Sequence, residues 1–263
     1  VLFLIAGLLA MFIRLELMQP GRNYMSSAVY NDIMSLHGTL MIFVGVATIV
    51  GAFGNYVVPI MIGAEDMAYP RLNALSYWFL PPVVILLAAS ALANGFDTGW
   101  TGYPPLAETT RMGEIFYNLA FFTVGFSSIL GAINLITTII TLRAPGLTWG
   151  RLPIFVWSIL GTAILSFLFT QFIALAMLMN LADRVGGFGF FDVAKGGNPL
   201  LYQHVFWFYS HPAVYVMILP AFGITLEVIT HFSRKPLFEQ KWAVMGMMGV
   251  VALSAVVWAH HMF

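Results

Sequence analysis

Cysteine is absent from the 263 residues of this chain. That excludes a disulfide framework and thiolate metal sites, so any metal here rests on histidine, carboxylate or backbone ligands. Charge is nearly as scarce. Asp, Glu, Lys and Arg make up 8% of the chain, against roughly 25% in a soluble domain. The 11 basic and 11 acidic residues cancel, which argues against the basic face that nucleic acid requires. What remains is apolar: 60% hydrophobic residues and a mean hydropathy of +0.89 place the sequence in lipid. The opening VLFLIAGLLAMFI has no basic segment before it and no small-residue cleavage site after it. It reads as the interior of a span rather than a signal peptide. VVALSAVVWAHHMF at the other end reads the same way, so the expectation is a piece truncated at both ends.

A membrane-spanning helix needs about 20 mostly apolar residues. Seven stretches qualify, near 1–18, 33–62, 73–93, 114–142, 153–182, 202–232 and 242–263. The expected fold is therefore all-α, a polytopic transmembrane helix bundle, with residues 1–263 forming a single transmembrane domain. Loops 63–72, 143–152 and 233–241 carry Arg71, Arg143, Arg151, Arg234, Lys235 and Lys241. The alternate set carries only Arg22, Arg111, Arg184 and Lys195. The basic excess puts the first set on the cytoplasmic side.

Ionisable groups inside spans are costly and are functional by default hypothesis. His37, His211, His231, His260 and His261 lie in or at the ends of spans, and His204 near the start of one. A lone membrane histidine usually makes an interhelical hydrogen bond, and His231 beside SRKP fits an interfacial place. The pair His260–His261 is different. On a straight helix the two point about 100° apart, so they meet one ion only by flanking it. Counted from Lys241, His260 stands about 28 Å along a continuous helix. His211 stands about 31 Å from Phe232 on the preceding, antiparallel span. The three are then level, toward the outer face. Three imidazoles without a carboxylate suit copper or zinc; structural histidines are the other possibility the spacing leaves open. Tyr215 lies one turn after His211 on the same helix face, with Pro212 loosening the helix between them. A second set is aqueous in character. Asp66, Asn55, Asn73 and Ser76 are close in sequence, and Ser127, Ser128 and Asn134 lie along the next span but one. Such residues serve either as helix glue or as a proton entry path headed by a carboxylate.

The blocks HPAVY, WAHHMF, HGTLMIF, FGNYVVPIMIGAEDMAYPR, GWTGYPPLA, SSILGAIN and IRLELMQPG resemble subunit I of the haem–copper oxygen reductases, the cytochrome c oxidase family, in the expected order. The resemblance implies about seven helices of a larger twelve-helix subunit that reduces O2 to water with electrons from cytochrome c and pumps protons. It implies His211, His260 and His261 as ligands of the copper in the binuclear centre, with Tyr215 cross-linked to His211. It implies His37 as an axial ligand of a low-spin haem, in the form of haem a, with a high-spin haem beside the copper. Arg14 is similar to the arginine that hydrogen-bonds the haem formyl, and Trp100 to the tryptophan near the propionates. Glu16 and Gly21 resemble part of a peripheral calcium or sodium site. Asp66, Asn55, Asn73, Ser76, Ser127, Ser128 and Asn134 resemble the channel that conducts protons from the inner side. The implied partners are subunits II and III, cytochrome c, O2 and the lipid membrane, with no nucleic acid. The implied location is the inner membrane of a prokaryote. The alternatives are a quinol oxidase with the same core and, from another class, a transporter or channel with a structural histidine cluster.

One departure from the family's commonest pattern stands out. That pattern reads HPEVY, and its Glu relays protons to the catalytic site; here Ala213 holds the position. The motif YSHPAVY puts Tyr209 one turn earlier on the same face, resembling the subgroup in which a tyrosine hydroxyl fills the missing carboxylate's space.

Overall fold

The computed structural model describes the backbone of residues 1–263 and the side chains of residues 1–43 and 51–263. Helices form on all seven apolar stretches, and turn chemistry sets the joints between them. Helix α1 (Leu2–Glu16) is followed by a turn in which Gly21 adopts φ +94°, a left-handed conformation that glycine takes without a steric cost. The turn folds back so that the buried Glu16 carboxylate accepts backbone N–H groups of Asn23, Tyr24 and Met25 at 2.8–3.0 Å. Helix α2 (Ser27–Thr39) starts on Ser26, whose hydroxyl accepts from the Val29 N–H at 3.3 Å, an N-cap of the ordinary kind. A π-helical stretch (Leu40–Val46) leads into α3 (Ala47–Ile62). Pro70 at the first helical position opens α4 (Pro70–Trp78), where its missing N–H costs nothing; α5 (Leu80–Leu92) follows directly. A single turn, α6 (Leu106–Thr109), interrupts the loop before α7 (Gly113–Thr141). The longest helices are α8 (Ile154–Gly186) and α9 (Pro199–Ser233), of 33 and 35 residues. At 1.5 Å per residue each runs about 50 Å, well past a hydrocarbon layer of about 30 Å. Helix α10 (Gln240–Ser254) and a 3-10 turn (Trp258–His261) finish the chain.

Among the described residues, four segments are long and apolar enough to cross a membrane: Pro70–Leu92, Gly113–Thr141, Ile154–Gly186 and Pro199–Ser233. Large apolar side chains on these and other helices point outward; Ile85 is 68% and Leu92 89% exposed. Exposed apolar surface on that scale is a liability in water and the expected condition in lipid.

The residues form two compact units. Unit one holds residues 1–48, 80–124 and 174–206. Its interior is aromatic, with Phe96, Tyr117, Phe121, Phe191, Tyr202 and Phe206 fully enclosed. The loop before α7 is fixed by polar groups. Arg111 pairs with Asp32, and the Arg184 guanidinium donates to the carbonyls of Ala107, Thr110 and Arg111.

Unit two holds residues 49–79, 125–173 and 207–263. Val58, Ile62, Leu135, Ile139, Leu152, Phe155 and Ile159 form its apolar centre. In lipid such contacts gain by close packing rather than by escape from water, so small residues count. Gly161 is one: a Cβ there would stand 2.9 Å from Val251 on α10.

Candidate metal centre

The histidine triad lies in unit two. His211 is buried on α9 at 4% exposure, and Pro212 beside it withholds the N–H that would reach the Phe208 carbonyl. The pair His260–His261 does not sit on a continued helix, as the residue count from Lys241 assumed: α10 stops at Ser254. The Ser254 hydroxyl donates to the Val251 carbonyl at 2.8 Å, the acceptor that the next helical N–H would use, so side chain and backbone compete for it. Beyond it the bonds tighten to the i−3 pattern, from Val256 to Leu253, His260 to Val257 and Met262 to Ala259. With about three residues per turn instead of 3.6, the pair closes on His211 from a short 3-10 turn.

The convergence itself is as the sequence predicts. His211 meets His260 with ring centroids 4.5 Å apart at 89°, and His261 at 5.2 Å. The adjacent pair lies 4.3 Å apart. One ligand nitrogen from each of the three lies within 4.8 Å of the others, the one such group among the described residues. His211 Nδ1 and His261 Nε2 share a hydrogen bond of 3.0 Å. His211 Nε2 is buried without a partner. Three imidazoles at this spacing, one with an orphaned nitrogen and none opposed by a carboxylate, are a donor set for copper or zinc. The Tyr215 ring stands 4.9 Å from His211 at 69°, one turn along α9.

Aromatic side chains wall the triad. Trp207 lies flat on His261 at 3.8 Å. Phe208 meets Trp258 edge-on at 5.0 Å and Phe172 at 4.6 Å. The sequence flags neither Trp207 nor Phe208, because aromatics in a span read as packing. Tyr209 is buried, and its hydroxyl bonds to Thr170 on α8. Thr170 in turn donates to the Ser166 carbonyl at 2.6 Å.

The polar set also falls in unit two, and much of it is in contact. Asp66 is exposed and accepts from the Met67 N–H at 2.7 Å. The buried Asn134 accepts from the Tyr69 N–H at 2.9 Å and donates to the Tyr69 carbonyl at 3.3 Å. Thr138, which the sequence does not single out, accepts from the Ala68 N–H at 2.9 Å. Ser127 donates to the Ser76 carbonyl, and Ser76 to that of Asn73. Asn55 donates to Gly51, and its Oδ1 is buried without a partner. Ser128 lies partly buried on α7 with no hydrogen bond to this set.

In unit one, His37 gives Nδ1 to the Ala6 carbonyl at 2.8 Å. Nδ1 then carries the proton and Nε2 keeps its lone pair for ligation. Arg14 is exposed in the last turn of α1. Trp100 packs over Gly38, where a Cβ would stand 3.5 Å from its ring, and against Phe43 and Phe206. The loop that carries it is held at four successive residues. Ser35 of α2 accepts from the Gly99 N–H at 3.0 Å. Tyr117 of α7 donates to the Trp100 carbonyl. Tyr202 of α9 donates to Thr101 at 2.8 Å, and Asn180 of α8 to Gly102 at 3.2 Å. None of these anchors is evident from spacing, although a buried Asn180 in a span is the kind of residue that intramembrane polarity marks.

Over residues 1–263 the chain matches the family model described as "Cytochrome C and Quinol oxidase polypeptide I". It is 44% identical to "Cytochrome c oxidase subunit 1" of Synechocystis sp., over 99% of this chain and 48% of that one. The same protein of Thermostichus vulcanus is also 44% identical, over 100% of this chain and 48% of its own. "Probable cytochrome c oxidase subunit 1-beta" of Nocardia farcinica is 44% identical over 99% and 45%. The chain spans about half the length of the curated relatives it matches. Its long apolar helices make it a multi-pass membrane protein, and the match along its whole length shows that the chain belongs to the cytochrome c and quinol oxidase polypeptide I family.

Proposed function

We propose that this chain is the part of a cytochrome c oxidase subunit I that holds the copper of the oxygen-reducing centre. The whole protein then reduces O2 to water with electrons from cytochrome c and moves protons across the inner membrane of a prokaryote, working with subunits II and III. The observation that carries the proposal is the convergence of His211, His260 and His261 with Tyr215 one turn away. Copper and the two haems, the low-spin one as haem a, supply the redox chemistry when bound.

The chain's own residues do the rest. Each histidine of the triad would give the ion one neutral imidazole nitrogen, in place of the hydrogen bond that His211 and His261 share. Tyr215 stands against His211, where its phenol could release a proton and an electron; a cross-link between the rings would replace one C–H and one N–H by a C–N bond, the two electrons and two protons passing to the O2 that the centre reduces. His37 would hold the low-spin haem through Nε2, its ring direction set by the Ala6 carbonyl. Arg14 and Trp100, the latter on its clamped loop, would hold the same haem, Arg14 as a hydrogen-bond donor toward its formyl group and Trp100 toward its propionates. Asp66 takes up protons from the inner side and passes them along Asn55, Asn73, Ser76, Ser127, Ser128 and Asn134. Tyr209 stands in for the relay glutamate that Ala213 replaces. Glu16 and Gly21 would contribute little more than one ligand each to a peripheral calcium or sodium site, because three backbone donors occupy the Glu16 carboxylate and leave about one of its four lone-pair sites.

The test is His260→Ala in the complete subunit. Copper and oxygen consumption are lost while the low-spin haem spectrum persists; full copper occupancy in that variant would overturn the assignment. Curated relatives named as cytochrome c oxidases favour cytochrome c over quinol as donor, and comparing turnover on the two reductants decides it.

A further inference from the structure

Unit one encloses polar atoms for which the metal centre has no use. Glu114 and Asn118 stand one turn apart on α7, and Asn180 lies on α8; none of the three has exposed surface. Two of their atoms are engaged. Thr98 donates to Glu114 Oε2 at 2.9 Å, and Asn180 Nδ2 donates to the Gly102 carbonyl. The remaining four are buried without a hydrogen-bond partner: Glu114 Oε1, Asn118 Nδ2, Asn118 Oδ1 and Asn180 Oδ1. Buried polar atoms are almost always satisfied, and four orphans in one small region need a common partner.

Gly102 ties Glu114 to Asn180, and Asn118 joins Glu114 as its neighbour one turn along α7. The Gly102 carbonyl holds Asn180, and a Cβ on that residue would lie 3.3 Å from Glu114 Oε1, 3.2 Å from Tyr202 Oη and 3.2 Å from Tyr117 Cε1. Its φ of +58° also favours glycine. The missing side chain thus lets the loop backbone come close to the carboxylate, so that the Gly102 carbonyl, Asn180 and Glu114 are near neighbours. The orphaned set contains three acceptors and one donor. A cation would serve the three oxygens but would face the Asn118 N–H groups with nothing to accept them. Water both donates and accepts, and a buried water makes about three hydrogen bonds. We infer that Glu114, Asn118, Asn180 and Gly102 form a binding site for a small cluster of ordered water, about one or two molecules at that bonding capacity. This site is separate from the histidine triad and does not depend on which electron donor the protein uses. It backs the loop that carries Trp100 with solvent.

Electron cryomicroscopy of the complete wild-type oxidase, at a resolution that shows ordered water, tests the site directly. Density should lie within hydrogen-bonding distance of Glu114 Oε1, the Asn118 amide and Asn180 Oδ1. Asn118→Leu fills the space and removes two partners, so that density should be lost; Glu114→Gln keeps volume and bonding and should retain it. Infrared difference spectra in H2 18O provide a second readout, with an isotope-sensitive O–H band in the wild type that disappears in Asn118→Leu. A dry wild-type site, with Glu114 and the two asparagines bonded directly to one another, overturns the inference, and so does density that persists unchanged in Asn118→Leu. The wild-type measurement decides the matter even where the leucine variant fails to assemble.

Discussion

The indole of Trp207 and the imidazole of His261 lie face to face, 3.8 Å between centroids and 2° between planes. Trp207 is one turn before His211 on α9, so a single helix supplies one imidazole of the triad and the flat surface that orients another. His261 needs such support because its own turn is short and 3-10 in form, with few backbone bonds to fix it. Trp207→Leu keeps an apolar side chain and removes the plate. Outer partners of metal ligands typically change affinity by about 10–100-fold, so copper retention against a chelator should weaken by roughly tenfold. Unchanged retention would assign Trp207 to packing alone.

Asp66 and Asn134 separate two roles that the sequence merges. Asp66→Asn should slow turnover and lower proton release from reconstituted vesicles while thermal stability stays the same, since the exposed carboxylate accepts only the adjacent Met67 N–H. Asn134→Ala leaves the Tyr69 N–H and carbonyl without their partner, at a cost of about 1–3 kcal/mol. A lower unfolding midpoint checks it. Turnover and pumping unchanged in Asp66→Asn would make the whole set helix glue.

Tyr209→Phe removes one buried hydrogen bond, to Thr170, and should cost on the order of 1 kcal/mol. Thr170 keeps its bond to Ser166, so the helix pair survives. Proton-coupled steps of oxygen reduction should slow without a change in haem or copper spectra. Adding Ala213→Glu restores a carboxylate from the next turn and should recover part of the rate. Stopped-flow kinetics of the reduced variants check both, and wild-type kinetics for Tyr209→Phe would end the relay role.

Glu108, on α6 in the loop before α7, is held above the usual carboxyl range by burial and by the Asp183 carboxylate, with Asp192 adding to it. A raised folded value means that the protonated form is favoured by folding. The stability it lends is present below the ordinary value of about 4.3 and is lost as pH rises through the folded value. Glu108→Gln removes that dependence, so the variant's unfolding midpoint should gain on the wild type with increasing pH. Parallel pH curves for the two proteins would contradict this.

The apolar runs make the helices legible in the sequence, because they depend on residue type and period alone; the spacing of HPAVY to WAHHMF brings the three histidines level, but by counting a continuous helix that the structure breaks. The stop at Ser254 is not legible. Ser and Val are ordinary residues in a lipid-facing helix, and only the bond from Ser254 to Val251 reveals the competition. Asn134 is conspicuous as a polar residue in a span, yet its partner is a backbone 65 residues away, which no local pattern encodes. Trp100 is found by resemblance, whereas Tyr117, Tyr202 and Asn180 around it look like core or glue until the loop is seen between them.

Those loop anchors also impose an order in time. Gly99 reaches back 64 residues to Ser35, Trp100 is held from 17 residues ahead, Gly102 from 78 and Thr101 from 101. As the chain leaves the ribosome, the segment around Trp100 is made long before Asn180 and Tyr202 exist. It therefore acquires its last two fixings only when α8 and α9 have been inserted, and any failure of either helix to enter the bilayer leaves the tryptophan unset. The geometry of the loop is completed by the last helix to contribute.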